Sequence, residues 1–371
     1  MAKIDNIRVV IADIPTIRPH VLAMTTMMSQ TMVLVFVRRD DGIVGVGEAT
    51  TIGGLAYGEE SPESIKTNID TYFAPMLIGQ DADNPAAAMA RLAGLIVGNR
   101  FAKCAIETAL LDGLGQAKNR PVSALLGAVQ HEKLPIAWTL ASGNTEEDIE
   151  EGERVLSAQL HRDFKLKIGT RNVADDCAHV AAIARAFEGR ASIRVDVNQH
   201  WTREQADEGA ALLQDAGVDL IEQPLVGHDV AGMKALCDQF DIAIMADEAL
   251  TGPVSAQRFA DEQAADVFAL KIAQSGGLTA GREVAAIANS AAIALYGGTM
   301  LEGAVGTAAS AHLFATLGPM QWGTELFGPL LMTEEILEES LEYGDFSLSV
   351  PAGPGLGVKV DEDKLARFAR S

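Results

Sequence analysis

The chain has 371 residues, 48% of them apolar, and a formal net charge of −22. A barrel of about 250 residues plus a smaller domain fits that length, and the apolar share supports a large core. So acidic a chain repels phosphate backbones, which argues against nucleic acid as a partner and makes any local group of lysines stand out as a seat for an anionic substrate.

Three cysteines, Cys104, Cys177 and Cys237, are odd in number and far apart. They read as free thiols of a reducing cytosol, so a cytoplasmic protein is expected. Residues 1–8 contain no apolar signal region. Residues 284–317 are apolar, but Tyr296-Gly297-Gly298, Glu302 and His312 interrupt them. They read as the core of a globular fold and not as a membrane span.

In chain order, residues 4–14 and 31–39 read as strands, and Asp40-Asp41-Gly42 as a hairpin turn before 44–48. Two loops bearing glycine and methionine are expected at 18–30 and 50–61. The periodicity turns helical over 64–127. Residues 1–130 are therefore expected to form a small α+β domain. From 134 onward short apolar strands alternate with amphipathic helices. The strands are expected at 134–140, 164–168, 193–198, 219–223, 242–247, 267–272, 293–296 and 321–326. Helical segments at 146–160, 175–187, 203–216 and 281–290 separate most of them. Eight alternations predict an α/β fold with a closed parallel barrel over 131–326. An open doubly wound sheet is less suited, since no Gly-rich phosphate loop follows the first strand. Beyond Glu325 the repeat stops. Residues 334–342 read as an acidic helix, 351–357 as turns, and 327–371 as a segment packing back on the N-terminal domain.

Strands two to six and eight each end in ionisable residues: Lys165 and Lys167, Asp196, Glu222, Asp247, Lys271 and Glu325. Asn198 lies two residues beyond Asp196. Asp196, Glu222, Asp247 and Lys271 follow one another at intervals of 26, 25 and 24 residues. One βα unit needs about that much chain, so all four face one mouth, where barrel active sites lie. A lone carboxylate after a strand is usually a helix cap, but three at even spacing on consecutive strands are not. Each follows an apolar run, where an unpaired charge is costly to desolvate. A cation resolves that cost, and three hard oxygen donors suit Mg²⁺ or Mn²⁺. Lys165 and Lys167, two apart, share a strand face, and Lys271 comes from the other side of the trio. Burial and neighbouring cations are expected to lower the lysine pKa values toward a usable base. His20 lies in a candidate lid loop, and Met24, Met27 and Met28 there are candidates to line a pocket. The glycines of Gly297-Gly298-Thr299 permit close approach to a ligand.

Lys165-Leu-Lys167-Ile-Gly, Asp196-Val-Asn198-Gln, Ile221-Glu222-Gln-Pro, Met245-Ala-Asp247-Glu, Ala269-Leu-Lys271-Ile-Ala and Thr324-Glu325-Leu-Phe-Gly-Pro together resemble the muconate-lactonising branch of the enolase superfamily. Ile52-Gly-Gly-Leu-Ala-Tyr57-Gly, Phe101-Ala-Lys-Cys-Ala-Ile-Glu107, Trp138-Thr139-Leu-Ala-Ser and Gly297-Gly298-Thr299-Met-Leu-Glu302-Gly extend the resemblance over essentially the whole chain. His200-Trp201 and Ala249 stand where the family often has Ala-Trp and Ser.

The resemblance implies a modified TIM barrel, (β/α)₇β, under an α+β capping domain built from both termini, a Mn²⁺ or Mg²⁺ cofactor on Asp196, Glu222 and Asp247, and a homo-octamer. It implies interconversion of cis,cis-muconate and muconolactone in the β-ketoadipate route of aromatic breakdown. Lysine bases beside a metal-stabilised enediolate are the general chemistry of the superfamily. In that scheme Lys167 carries the proton, Lys165 holds the carboxylate and tunes Lys167, and Lys271 is the carrier if addition is anti. Glu325 is a candidate acid near the lactone end. His20, Ile52, Tyr57 and Phe327 shape specificity, and Thr139, Asn198, Gly298 and Thr299 belong to the substrate site. Chloromuconate cycloisomerase, o-succinylbenzoate synthase and dipeptide epimerase activities use the same barrel groups and are the alternatives. A catalytically dead barrel would lack a ligand or a lysine, and none is missing.

Overall fold

The computed structural model describes residues 1–370. Strand β1 (Ile4–Val21) pairs antiparallel with β2 (Thr26–Arg39), and β2 with β3 (Val44–Thr51). The loop expected at 18–30 is mostly strand: His20 pairs with Met27, and only the tip at residues 22–25 turns. Pro15 and Pro19 hide the strand pattern there, because proline cannot donate to a ladder. Both lie on β1, an edge strand, and the register shifts between Pro15 and His20.

The helices α1 (Pro62–Asn68), α2 (Ala74–Leu77), α3 (Pro85–Leu95), α4 (Arg100–Lys118) and α5 (Val122–Leu126) follow, with a π-helical turn at Ile69–Phe73. Helix α4 lies directly on β3. A Cβ on Gly45 or Gly47 would run into the carbonyls of Ala109 or Ala105, so these two glycines permit the approach.

Next come β4 (Lys133–Pro135), β5 (Trp138–Leu140), α6 (Thr145–Ser157), β6 (Asp163–Lys167), α7 (Val173–Ala186), β7 (Ser192–Asp196), α8 (Arg203–Asp215) and β8 (Leu220–Glu222). They are followed by α9 (Val230–Gln239), β9 (Ala243–Ala246), α10 (Pro253–Glu262), β10 (Val267–Leu270), α11 (Ile272–Ser275), α12 (Leu278–Ser290), β11 (Ala294–Gly297) and α13 (Ala304–Phe314). Strands β5 to β11 form one parallel sheet in sequential order. The expected first barrel strand at 134–140 is split: β4 pairs with β13 in a separate sheet, and β5 alone joins the barrel. The expected eighth strand at 321–326 shrinks to Thr324, which bridges Ile136 on one side and Gly297 on the other. Ala137 N–H donates to Thr324 O at 2.7 Å and Glu325 N–H to Gly297 O at 2.7 Å, so backbone bonds still close the ring.

The C-terminal residues form α14 (Gly328–Leu331), β12 (Tyr343–Gly344), β13 (Ser347–Ser349) and α15 (Glu362–Phe368). β12, β13 and β4 make a small antiparallel sheet. Residues 334–342 are not the helix expected from their pattern. Glu334/Glu338, Glu335/Glu339 and Glu338/Glu342 would stack like charges one turn apart, and Leu337 instead bridges Val360. The chain then returns to the first sheet. Thr333 N–H donates to Pro15 O, Arg370 N–H donates to Ile11 O, and Ala369 bridges Ala12, covering the exposed edge of β1.

Helix α13 is buried on every side, which accounts for the apolar run noted at 284–317. Among the described residues, no helix is long and apolar enough to cross a membrane. In the last turn of α13, His312 accepts at Nδ1 from Ser123 N–H (3.2 Å) and donates from Nε2 to Leu356 O (3.0 Å), joining barrel, α5 and C-terminal segment. Burial pushes its pKa down to about 4. A buried base with a depressed pKa adds stability above its unfolded value of 6.5 that is lost as pH falls toward 4. Wild-type unfolding free energy should fall over that window. The His312→Gln variant, weaker at neutral pH, should lose about 3 kcal/mol less between pH 7 and pH 4 in denaturant titrations. An equal loss in both proteins would show that His312 is not held neutral.

Candidate metal centre and active site

Strand register assembles the site. Lys167 is paired with Asp196, and Asp196 with Glu222, at the ends of β6, β7 and β8. Asp247 follows β9 and Lys271 follows β10. Asp196, Glu222 and Asp247 each offer an oxygen within 4.8 Å of the others, and all three are buried. Among the described residues, Glu222 Oε1 and Asp247 Oδ1 have no hydrogen-bond partner. Carboxylate oxygens buried without donors are expensive. Converging hard oxygens with free lone pairs therefore fit a divalent cation.

The lysines interleave with these acids. Lys165 Nζ lies 2.5 Å from Glu325 Oε1, 2.9 Å from Glu222 Oε2 and 3.5 Å from Asp196 Oδ2. Lys167 Nζ lies 2.5 Å from Asp196 Oδ2 and 3.4 Å from Asn198 Oδ1. Lys271 Nζ lies 2.6 Å from Asp247 Oδ2 and donates to the Tyr57 hydroxyl at 2.8 Å. Lys165 and Lys167 thus flank the trio from β6, and Lys271 from β10.

At Lys165 and Lys271 the surroundings overturn the expected lowering of the pKa. Burial alone would lower Lys165, but Glu222, Glu325 and Asp196 outweigh it and hold the ammonium well above its ordinary range. Lys271 is raised in the same way: burial lowers it, and Asp247 and Glu222 more than compensate. Among the acids, burial would raise Asp196, but Lys167 and Lys165 hold it well below the carboxylate range. Glu222 is pushed up, by burial first and then by Asp196.

Above this ring lies a narrow pocket between barrel and cap. His20, Ile52, Tyr57, Thr139, Asn198, Thr299, Lys165, Lys167, Lys271 and Glu325 all line it. Leu22 and Leu301 line it too. No motif marks either one: Leu22 lies at the tip of the unforeseen hairpin, and Leu301 takes a left-handed φ of +60°. Gly298 lies against Lys271, whose Cγ would be 2.8 Å from an added Cβ. Phe327 lies outside the lining and packs on Trp138, ring centroids 5.0 Å apart. Met24, Met27 and Met28 do not line the cavity either.

His20 is 1% exposed, and its Nε2 has no partner among the described residues. Burial, Arg18 and Lys167 push its pKa well down, which keeps the ring neutral. Glu248 is an addition. It follows Asp247 directly, accepts from Asn198 Nδ2 at 3.0 Å, and is pushed up to about 8 by burial and by Asp247. The Asp-Glu pair is visible in the sequence, but only the fold brings the Glu248 carboxylate onto Asn198. Gln274 is a second addition: it holds the Asp247 carbonyl and lies 2.9 Å from the Tyr57 hydroxyl.

Residues 6–127 match the mandelate racemase / muconate lactonizing enzyme N-terminal domain, and residues 147–364 the enolase C-terminal domain-like family. The chain is 59% identical over 368 residues to muconate cycloisomerase 1-2 of Acinetobacter lwoffii, covering 99% of this chain and 96% of that protein. It is 42% identical over 369 residues to chloromuconate cycloisomerase CbnB of Cupriavidus necator, covering 100% of both. A muconate lactonizing enzyme from Pseudomonas fluorescens, solved in complex with muconolactone, superposes with a TM-score of 0.99 at 55% identity over 100% of each chain. The interleaved lysines and carboxylates at the barrel mouth and these full-length matches agree, and the chain belongs to the muconate-lactonizing family of the enolase superfamily.

Proposed function

We propose that the protein interconverts cis,cis-muconate and muconolactone. The observation that carries this reading is one cavity, walled by the cap, onto which three lysines open beside a carboxylate trio. The 59% match to a muconate cycloisomerase, against 42% to a chloromuconate enzyme, favours the unchlorinated substrate.

Asp196, Glu222 and Asp247 would hold the ion, and their oxygen-only donor set favours Mn²⁺ or Mg²⁺. When bound, a divalent cation supplies positive charge beside the substrate carboxylate where enolate charge gathers, and offsets the acids that hold the lysine protons. In the forward direction one carboxylate oxygen of the dianion bonds to a carbon of the distal double bond. The displaced electron pair moves to the α-carbon, and Lys167 delivers a proton there. Solvent then returns a proton to Lys167, so the reaction consumes one proton overall. In reverse, neutral Lys167 removes the α-proton. Lys165, pinned by Glu325 and Glu222, keeps positive charge on the same side and orients Lys167. Lys271 takes the proton-carrier role if addition is anti.

Glu325 stands near the lactone end as the acid. Thr139, Asn198 and Thr299 offer polar contacts, and Gly298 leaves Lys271 its space. His20, Ile52 and Tyr57 shape the pocket from the cap, with Phe327 acting from behind Trp138. In this scheme residues 1–130 cap, 131–326 carry the chemistry, and 327–371 tie the two together. A homo-octamer rests on the family resemblance, and a cytoplasmic location on the free cysteines.

Lys167→Ala should cut turnover of cis,cis-muconate by about 10² to 10⁴-fold while metal binding and thermal unfolding stay near wild type. Ultraviolet loss of the diene, read with and without chelator, measures it, and wild-type rates in the variant would remove Lys167 from the chemistry. Asp247→Asn should weaken metal affinity by about tenfold or more, read as the Mn²⁺ concentration that restores the chelated enzyme. An unchanged restoration curve would mean that Asp247 is not a ligand.

A further inference from the structure

Two of the cavity-lining side chains, Thr299 and Leu301, belong to the loop between β11 and α13. Within it Glu302 turns back, accepting from Met300 N–H at 2.9 Å and from the Thr299 hydroxyl. Leu301 has φ +60°, a conformation a leucine adopts only under constraint. Part of that constraint lies inside the loop, where Leu301 N–H donates to the Thr299 hydroxyl oxygen at 2.8 Å, and part comes from the capping domain. Gln30 on β2, 1% exposed, donates from Nε2 to both Met300 O and Leu301 O at 3.0 Å. Glu48 on β3, 2% exposed, accepts from Gly303 N–H at 2.6 Å and Gly306 N–H at 2.8 Å. A Cβ on Gly303 would collide with Met32 Sδ, so the cap strands sit flush against the loop. Neither Gln30 nor Glu48 lines the cavity.

We propose that Gln30 and Glu48 are positioning residues for the substrate: acting from the capping domain through residues 298–303, they fix Thr299 and Leu301 against it. The kinetic part rests on the muconate reading above; the loop clamp does not. Thr299 and Leu301 hold ground state and transition state alike, so loosening them raises KM more than it lowers kcat.

The test uses Gln30→Met, which keeps length but removes the donor, and Glu48→Gln, which keeps size but gives up one carboxylate oxygen. Asp112→Asn is the control. Asp112 is an equally buried cap carboxylate that accepts from Val46 N–H and Leu356 N–H and does not touch the loop. Each clamp variant should raise KM for cis,cis-muconate by about tenfold, change kcat by less than about threefold, and speed exchange of the Leu301, Gly303 and Gly306 amides. The control should lower the unfolding temperature with KM unchanged. Wild-type KM in both clamp variants, or an equal KM rise in the control, overturns the proposal. If Glu48→Gln does not fold, Gln30→Met decides alone. If the wild type does not turn over muconate, the substrate reading fails, and amide exchange then decides the clamp: unaccelerated exchange across 299–306 rejects it.

Discussion

Buried charge at the barrel mouth is the constraint to which the rest of the structure answers. Asp196, Glu222, Asp247, Glu248 and Glu325 crowd a space that also holds Lys165, Lys167 and Lys271. Five acids against three ammonium groups leave a surplus of two negative charges when all are ionised. Isolated charges in such a place would be prohibitive. The protein pairs each lysine with at least one carboxylate and still leaves oxygens of Glu222 and Asp247 without donors. A divalent cation has the charge and the oxygen preference to complete the balance. The same crowding explains why Lys165 and Lys271 are raised and not lowered: burial favours losing the proton, but the facing carboxylates outweigh it.

That arrangement depends on strand register. A parallel ladder slipped by one residue would turn Lys167 and Asp196 to opposite faces. Closure of the ring through Thr324 then brings Glu325 within reach of Lys165, although nearly the whole barrel lies between them in sequence. The short eighth element delivers its carboxylate through four backbone bonds, two to residues 135–137 and two to Gly297.

Much of this is legible in the sequence because charges at the ends of apolar strands recur at the length of a βα unit. Asp196, Glu222, Asp247 and Lys271 declare themselves by spacing alone, and Lys165 and Lys167 by alternation. The departures share a cause: local pattern loses to a partner distant in sequence. Residues 18–30 look like a loop because Pro19, with Pro15 just before it, breaks the strand signal, yet β2 supplies the pairing. Residues 334–342 have helical periodicity, yet like charges and the Leu337 bridge to Val360 set them otherwise. The lysine pKa direction is hidden because sequence shows which charges are present and not which are nearest.

The capping domain acts on the site in two ways that differ in kind. His20, Ile52 and Tyr57 reach the cavity with their own side chains. Gln30 and Glu48 reach it only through backbone groups of a barrel loop. The chemistry on the barrel strands needs only charges at fixed separations, which many substrates could use. Discrimination needs walls at fixed distances from those charges, and a wall made of a left-handed Leu301 holds its place only while something pulls on the adjoining carbonyls and amides. A cap that both forms one wall and braces another makes cavity shape a property of how the two domains seat together. Substitutions in the cap far from any substrate atom are then able to change selectivity while leaving the lysine and carboxylate ring as it is.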